Sequence, residues 1–202
     1  MISCAQYSSV TGIILAGGKS ARMGRDKALL GIGGEPFIKC IADVMKRIFE
    51  DVMIISNHGN RYAFLGLPIH GDVFENCGPL GGIHAGLIYA RTSKVFVVSC
   101  DLPFIDTYII QQLVSHGDNG DASLFSIGGY IQPLFGLYSS SSLETIERHL
   151  RNGQLSVLCC LKELDTCIHK LTSDSNSEDI FSLTNINTPT DYSRSLASQA
   201  YR

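Results

Sequence analysis

Residues 11–30 read TGIILAGGKSARMGRDKALL, an apolar run that breaks at two glycines and continues as a basic loop. The apolar part, residues 13–16, has the character of a buried parallel strand, and Gly17 and Gly18 end it. Backbone N–H groups freed by glycines, together with Lys and Arg side chains, suit a triphosphate. The stretch therefore predicts a strand that delivers a phosphate-binding turn, and the alternative is an ordinary strand-to-helix turn with solvated charges. The loop carries four cations within nine residues, namely Lys19, Arg22, Arg25 and Lys27.

Two familiar phosphate-binding loops do not match this spacing. A Walker A loop has four residues between its first glycine and Gly-Lys-Ser/Thr, whereas five residues separate Gly12 from Gly18 and belong to the strand itself. The dinucleotide fingerprint G-x-G-x-x-G also fails, because Gly17, Gly18 and Gly24 are spaced differently. The remaining interpretation is a nucleotide-binding loop that is neither a Walker A loop nor a dinucleotide fingerprint.

The overall composition is that of one globular domain. The 202 residues suffice for one well-buried domain, and 45% apolar and 17% charged residues argue against disorder. A formal charge of −3 gives no basis for nucleic-acid binding. No apolar run approaches the ~20 residues of a membrane span, and residues 1–10 lack the features of a signal peptide. We therefore expect a cytoplasmic protein without nucleic-acid or membrane partners.

The cysteines and histidines give no sign of a metal centre. Seven cysteines without a C-x-x-C pair, most of them in apolar contexts, predict buried, reduced thiols. Zinc would need clustered ligands at a recognisable spacing, which the sequence lacks. Among six histidines only His84, just after Gly81-Gly82, lies near a candidate site, and we expect a structural role for it.

Apolar runs alternate with amphipathic segments along the rest of the chain. This alternation predicts a three-layer α/β/α domain with a mostly parallel sheet, whose ligands lie at the carboxyl ends of the first, second and fourth strands. After the first strand, the predicted strands are residues 52–55, 67–70, 94–98, 122–127, 132–138 and 181–186. The predicted helices begin at Glu35-Pro36, after Gly82, at Ile105 and near Leu143, and a last one follows Thr188.

Polar residues follow two of these strands. The apolar run 95–98 delivers Asp101, and a lone carboxylate at such a place suits Mg²⁺, which takes one or two carboxylates together with phosphate oxygens and waters. The alternative is a turn or helix-cap aspartate. Asn57 follows strand 52–55 and is a candidate ligand contact for the same reason.

The first motif of the chain resembles the signature of a known family. LAGGKSARMGRDKALL is similar to the signature of the molybdenum cofactor guanylyltransferases, a branch of the nucleotidyltransferases related to sugar-nucleotide pyrophosphorylases. The pair Gly17-Gly18 and the Asp26 before Lys27 point to the guanylyl branch, because cytidylyl relatives usually carry Ala-Gly. CDLP at 100–103 and NINTPTDY at 185–192 resemble further family motifs. The resemblance implies a Rossmann-like fold of the nucleotide-diphospho-sugar transferase type, with residues 11–202 as a single nucleotidyltransferase domain and residues 1–10 as an N-terminal extension.

The resemblance also implies an activity and its residues. The reaction is Mg²⁺-dependent transfer of GMP from GTP to the terminal phosphate of molybdenum-molybdopterin, with release of pyrophosphate. Arg22 and Lys27 would hold the pyrophosphate, and Asp101 would bind Mg²⁺. Ile55 stands where the family tends to have a second asparagine, which leaves the role of Asn57 open. The implied substrate contacts are Leu15, Ala16, Gly17, Gly18, Lys27, Asn57, Asp72, Gly82, Asp101, Asn185 and Asn187.

Two alternatives stay open at this stage. One is another nucleotidyltransferase of the same fold, such as a cytidylyl- or sugar-phosphate enzyme, and the other is a non-catalytic nucleotide-binding regulator. If the chain is instead a molybdenum cofactor guanylyltransferase, as the resemblance implies, GTP and molybdenum-molybdopterin are its substrates, and enzymes of cofactor synthesis or molybdoenzyme chaperones are candidate protein partners. An ionised phosphate acceptor needs no strong general base, which agrees with the absence of a Ser/His/Asp or Cys/His constellation from the sequence.

Overall fold

The computed structural model describes residues 6–17, 26–32, 34–116, 119–171, 183 and 186 of the chain. Within these residues the helices are α1 Phe37–Ile48, α2 Gly78–Tyr89, α3 Thr107–Ser115, α4 Leu143–Arg151 and α5 Val157–Leu161, with 3₁₀ segments at Lys27–Leu29, Gly59–Leu65 and Ser140–Ser142. The strands are β1 Val10–Leu15, β2 Gly31–Ile32, β3 Glu35–Pro36, β4 Val52–Ile55, β5 Ile69–His70, β6 Lys94–Ser99, β7 Ala122–Ile127, β8 Tyr130–Ser139 and β9 Thr166–Leu171. No described helix has the length and apolar character needed to cross a membrane.

Seven of these strands form one sheet in the order β5-β4-β1-β6-β8-β7-β9, and β2 and β3 form a separate two-stranded ribbon. The neighbours β5/β4, β4/β1, β1/β6 and β7/β9 are parallel, whereas β8 runs antiparallel to both β6 and β7. The sheet is therefore mostly parallel, which confirms the predicted class. The exception arises because Gly128 and Gly129, both with positive φ, close β7 and β8 into a hairpin.

Helices cover both faces of the sheet, which confirms the three-layer architecture. Side chains alternate along β1, so that Ile14 faces a core with α1 and α3, while Ile13 and Leu15 face a second core with α2, α4 and α5. Helix α2 packs closely on β1 because two of its residues lack a side chain. A Cβ on Gly82 would lie 3.0 Å from Cδ2 of Leu15, and one on Gly86 would lie 3.1 Å from Cγ2 of Ile13.

Several details differ from the sequence prediction. Strand β9 was not predicted, and Pro36 belongs to β3, so that α1 begins one residue later at Phe37. The strand predicted at 67–70 is confined to its last two residues in β5. Of the predicted strand 181–186, only Leu183 and Ile186 are described, the first in a turn and the second outside regular secondary structure.

The described part of the predicted N-terminal extension packs on the domain. Val10 is already the first residue of β1, and Tyr7 forms a bridge with Phe49 at the end of α1. The amide of Tyr7 also donates a 2.7 Å hydrogen bond to the carbonyl of Ile48. Residues 7–10 are therefore joined to the same core as β1.

Candidate active site

The carboxyl ends of β4, β1 and β6 lie side by side at one edge of the sheet. In the register of these strands Leu15 is paired with both Ile55 and Ser99. The main chain stays hydrogen-bonded one residue further, since the amide of Ala16 donates to Ile55 at 3.0 Å and the amide of Cys100 donates to Leu15 at 3.1 Å. Strands β1, β4 and β6 correspond to the first, second and fourth predicted strands of the chain. The expectation that their carboxyl ends lie together is confirmed.

The thiol of Cys100 is buried at this edge, and burial and nearby charges shift its pKa. Burial raises the pKa of Cys100 to about 12, and the negative charges of Asp101 and Asp26 act in the same direction. A backbone hydrogen bond with Gly17 and the positive charge of Lys27 oppose the shift. Two carboxylates, one ammonium group and the start of the glycine turn are therefore within electrostatic reach of a single buried atom.

The Asp26 carboxylate accepts hydrogen bonds from three protein donors. One oxygen, Oδ1, caps the 3₁₀ turn Lys27–Leu29 by accepting the amide of Ala28 at 3.1 Å. The other, Oδ2, accepts the hydroxyl of Tyr62 at 2.8 Å and Nη1 of Arg61 at 3.3 Å. Burial, followed by the hydrogen bond to the Asp26 carboxylate, raises the pKa of the Tyr62 hydroxyl far above its ordinary value, so that this hydroxyl remains a donor. Asp26 is thus engaged in holding its own loop.

The Asp101 carboxylate differs from that of Asp26 because no described side chain donates to it. Its carbonyl oxygen accepts the amide of Ile186 at 2.9 Å, while the half-buried side chain stands at the end of β6. Asp101 therefore presents an oxygen ligand that the described protein groups leave available, as Mg²⁺ requires. Across the described part of the chain, no group of three or more His, Cys, Asp or Glu residues could bind a metal without further ligands.

Asn57 and Asp72, predicted separately as substrate contacts, are joined to each other. The Nδ2 group of Asn57 donates to Oδ2 of Asp72 at 3.0 Å, and the amide of Asp72 donates to Oδ1 of Asn57 at 2.8 Å. Burial raises the pKa of the Asp72 carboxyl, the bond from Asn57 opposes this shift, and nearby Glu75 adds to it. The pair connects the end of β4 to the residues that follow β5.

The remaining described candidates differ in how much space surrounds them and in whether they are buried. Leu15 and Ala16 are buried, so that only their backbone faces the edge. Gly17 is exposed, and a Cβ built on it would meet nothing within 4 Å. Gly82, in contrast, faces Leu15 within the packed interior. Its lack of a side chain serves helix packing, and a substrate contact through its backbone stays a prediction.

Other predicted site residues lie outside the described part of the chain. These are Arg22, Gly18, Asn185 and Asn187, and their roles stay predictions. The described Ile186 between the two asparagines has no exposed surface and packs against Phe37.

Two buried histidines have a packing role that the sequence only partly indicated. His84 lies edge-on to Phe74, and its Nε2 is 3.3 Å from Oε1 of Glu147, which fits the structural role expected of it. His149 was not singled out, yet its Nε2 lies 3.0 Å from Glu163. The first pair connects α2 to α4, and the second connects α4 to the turn after α5.

The prediction for the cysteines was half right. All six described cysteines are free thiols, but only Cys100 and Cys160 are fully buried. Cys159 is exposed because it lies on the outer face of the short helix α5. The other three are half-buried, so an apolar sequence context did not by itself imply burial.

Residues 12–166 match the MobA-like NTP transferase domain, a range that contains most of β1 together with Lys27 and Asp101. The chain belongs to the MobA-like NTP transferase family. It is accordingly a nucleotidyltransferase.

Two sequence relatives and one solved structure are similar to this chain over most of their own lengths. A probable molybdenum cofactor guanylyltransferase from Pelotomaculum thermopropionicum is 39% identical over 73% of this chain and 72% of its own length. One from Carboxydothermus hydrogenoformans is 34% identical over 93% and 95%. The crystal structure of molybdopterin-guanine dinucleotide biosynthesis protein A from Archaeoglobus fulgidus superposes with a TM-score of 0.83, covering 95% of this chain and all of that one, at 21% identity. At this low sequence identity, the similarity to the Archaeoglobus structure shows a shared fold.

Proposed function

We propose that this protein transfers GMP from GTP to the terminal phosphate of molybdenum-molybdopterin, forming the guanine dinucleotide cofactor and releasing pyrophosphate. The two sequence relatives carry the name of that activity, and this chain spans most of each of them. The observation that carries the proposal is the register of β4, β1 and β6. It places the carboxyl ends of these strands side by side, where β1 leads into the Gly17 turn and β6 leads to Asp101.

The reaction requires positioning more than acid–base chemistry. An oxygen of the acceptor phosphate attacks the α-phosphorus of GTP in line, and the bond from that phosphorus to the bridging oxygen breaks. Pyrophosphate leaves with the bonding electron pair, so no covalent enzyme intermediate is needed. Because a phosphate monoester is ionised at neutral pH, the attacking oxygen needs no strong base. The protein's contribution is alignment and charge neutralisation.

The charged residues have different roles in this alignment and charge neutralisation. Lys27, together with Arg22 of the same loop, holds the β- and γ-phosphates and stabilises the charge of the leaving pyrophosphate. Asp101 is the residue that would hold Mg²⁺, which neutralises phosphate charge when bound. Asp26 is not part of this set, since its carboxylate is occupied by Ala28 and Tyr62.

Base recognition is assigned to the end of β1. The buried side chains of Leu15 and Ala16 leave only their backbone groups for a ligand, and the space over Gly17 is open. Guanine presents an N1–H and an exocyclic amine, both donors, to backbone carbonyls at such a strand end. The joined pair of Asn57 and Asp72 provides further polar groups along the same edge. Asn185 and Asn187 are assigned to the acceptor side on the family resemblance.

The decisive experiment is pyrophosphate release measured with each of the four nucleoside triphosphates, with and without the metal-loaded pterin. We expect release that requires both GTP and the acceptor. Comparable release with CTP would indicate a cytidylyl or broader enzyme, and acceptor-dependent release with a sugar phosphate would indicate a sugar-nucleotide enzyme. Tight GTP binding without any release would indicate the non-catalytic regulator.

A further inference from the structure

The hydroxyl of Tyr62 is tied to the residue that precedes Lys27. Tyr62 has no exposed surface, and its hydroxyl donates a 2.8 Å hydrogen bond to Oδ2 of Asp26, a residue 36 positions earlier in the chain. A buried hydroxyl that loses its partner destabilises the folded state, so this bond is strongly favoured where it forms. It joins the loop that carries Lys27 to the segment between β4 and β5.

The loop is fixed on the other side of Lys27 as well. Ala28 is fully buried in the core that contains α1, and its amide donates to Oδ1 of Asp26. The residues immediately before and after Lys27 are therefore both anchored, one through a buried hydrogen bond and the other through burial. The Lys27 side chain extends from a main chain that has little freedom to move.

The segment that carries Tyr62 is hydrogen-bonded to α1. Its segment, Gly59–Leu65, ends at Gly66 in a left-handed conformation with φ of 63°. The ammonium group of Lys46 on α1 donates a 2.8 Å hydrogen bond to the carbonyl of Leu65. The neighbouring Arg61 also reaches Oδ2 of Asp26, but its side chain is 54% exposed, so solvent screens this ion pair and the Tyr62 bond is the main anchor.

We propose that Tyr62 is a positioning residue for the triphosphate: by fixing Asp26 it holds Lys27 where the lysine ammonium meets the β- and γ-phosphates. This inference rests on the function proposed above. Its physical basis is preorganisation, since a cation held in place before the nucleotide arrives loses less conformational entropy on binding. Tyr62 acts only through Lys27 and touches no substrate atom.

The test compares Tyr62→Phe with a matched control, Tyr138→Phe. Tyr138 is also buried, at 1% exposure, and its hydroxyl donates a single 2.6 Å hydrogen bond to the carbonyl of Pro133. Calorimetry is expected to show that Tyr62→Phe weakens GTP binding by about three- to tenfold and GMP binding by less than about twofold, the size expected for one hydrogen bond. Tyr138→Phe is expected to lower the unfolding temperature about as much as Tyr62→Phe does, without changing the affinity for GTP or for GMP.

A double-mutant cycle then tests whether Tyr62 acts through Lys27. In a Lys27→Ala background, Tyr62→Phe is expected to change GTP affinity by less than about 1.5-fold, because the positioned group has been removed. A full-sized loss in that background would overturn the proposal, and so would equal effects of the two tyrosine variants on GTP affinity. If Tyr62→Phe does not fold, Asp26→Asn replaces it, since it keeps an oxygen for Ala28 and weakens the bond from Tyr62. The same selective loss for GTP is expected.

The wild-type measurements separate this inference from the proposed function. A wild-type protein that binds no GTP would overturn both. A wild-type protein that binds GTP and releases pyrophosphate in the presence of the acceptor, while Tyr62→Phe binds GTP normally, would overturn the inference alone.

Discussion

The backbone amide of Ile186 donates a 2.9 Å hydrogen bond to the carbonyl oxygen of Asp101. Ile186 is fully buried against Phe37, so this bond anchors the turn after β6 to the core at the start of α1. The main chain of Asp101 is held in this way, while no described side chain donates to its carboxylate. The side chain at this position can consequently be changed without disturbing the turn.

The first prediction follows from that separation of main chain and side chain. Asp101→Asn is expected to lower turnover about a hundredfold or more, or roughly 2.7 kcal/mol of transition-state stabilisation, because the amide binds Mg²⁺ poorly. Mg²⁺-dependent pyrophosphate release measures this. Asp106→Asn is the control, since Asp106 caps α3 through the amide of Ile109 and asparagine caps equally well. Near-normal turnover by Asp101→Asn would exclude Asp101 as the metal ligand.

The second prediction concerns the phosphate clamp. Lys27→Ala is expected to weaken GTP binding far more than GMP binding, because the β- and γ-phosphates carry most of the charge that Lys27 meets. Isothermal titration with both nucleotides measures the difference. Lys39→Ala removes an equal charge from α1, where Lys39 pairs with Asp43, and should leave both affinities unchanged. Equal losses for GTP and GMP in Lys27→Ala would place Lys27 away from the leaving group.

The third prediction concerns the base. Gly17→Ala should fold with unchanged stability, because its Cβ would meet nothing within 4 Å, yet it should crowd a purine and narrow the preference for GTP over CTP. In the unmodified protein we expect that preference to be about ten- to a hundredfold in kcat/KM. Equal use of GTP and CTP by the unmodified protein would contradict the guanylyl assignment.

Gly12, within β1, differs from Gly17, which follows that strand. A Cβ on Gly12 would lie 2.9 Å from both Met45 Cε and Phe49 Cδ2, so Gly12→Ala is expected to lower the free energy of unfolding by about 1–3 kcal/mol. Chemical denaturation of the two glycine variants measures the difference. A destabilised Gly17→Ala beside an unaffected Gly12→Ala would contradict the geometry of β1.

The fourth prediction concerns pH and the pair formed by Asn57 and Asp72. Burial raises the pKa of Asp72, so the folded state binds this proton more tightly than the unfolded state does, and stability falls as pH rises from the ordinary value of 3.8 through the folded pKa. Asn57→Ala removes a donor to the carboxylate and should raise the pKa of Asp72 further. Carboxyl NMR titration measures it, with Asn60→Ala on the exposed neighbouring segment as control. An unchanged or lower pKa would refute the assignment of the hydrogen bond.

The strand ends of the candidate site could be predicted because their signals are local. The apolar run 95–98 and the glycines after residue 16 each mark a buried strand and its end within a few residues. Strand β9, TCIHKL, carries no such signal: it is a half-buried edge strand that includes His169 and Lys170, and only its pairing with β7 makes it a strand.

The contacts that hold the site together could not be predicted in the same way. Asn57 was recognised from a strand end and Asp72 from the family resemblance, but the two hydrogen bonds between them form across 15 positions of sequence. The bond from Tyr62 to Asp26 spans 36 positions and joins residues with no shared motif. Such contacts depend on how the segment between β4 and β5 packs, which local periodicity does not encode.

The central place of β1 in the sheet also governs how the chain acquires its site. Val10 pairs with Lys94, so one edge of β1 stays unpaired during synthesis until β6 has left the ribosome. An apolar strand with an open edge is prone to associate with other chains. Because this non-local pairing also brings the end of β6, which leads to Asp101, beside the end of β1, which leads to Gly17, nucleotide-binding competence cannot arise before β1 and β6 have paired, and refolding should be slow for a chain of this size.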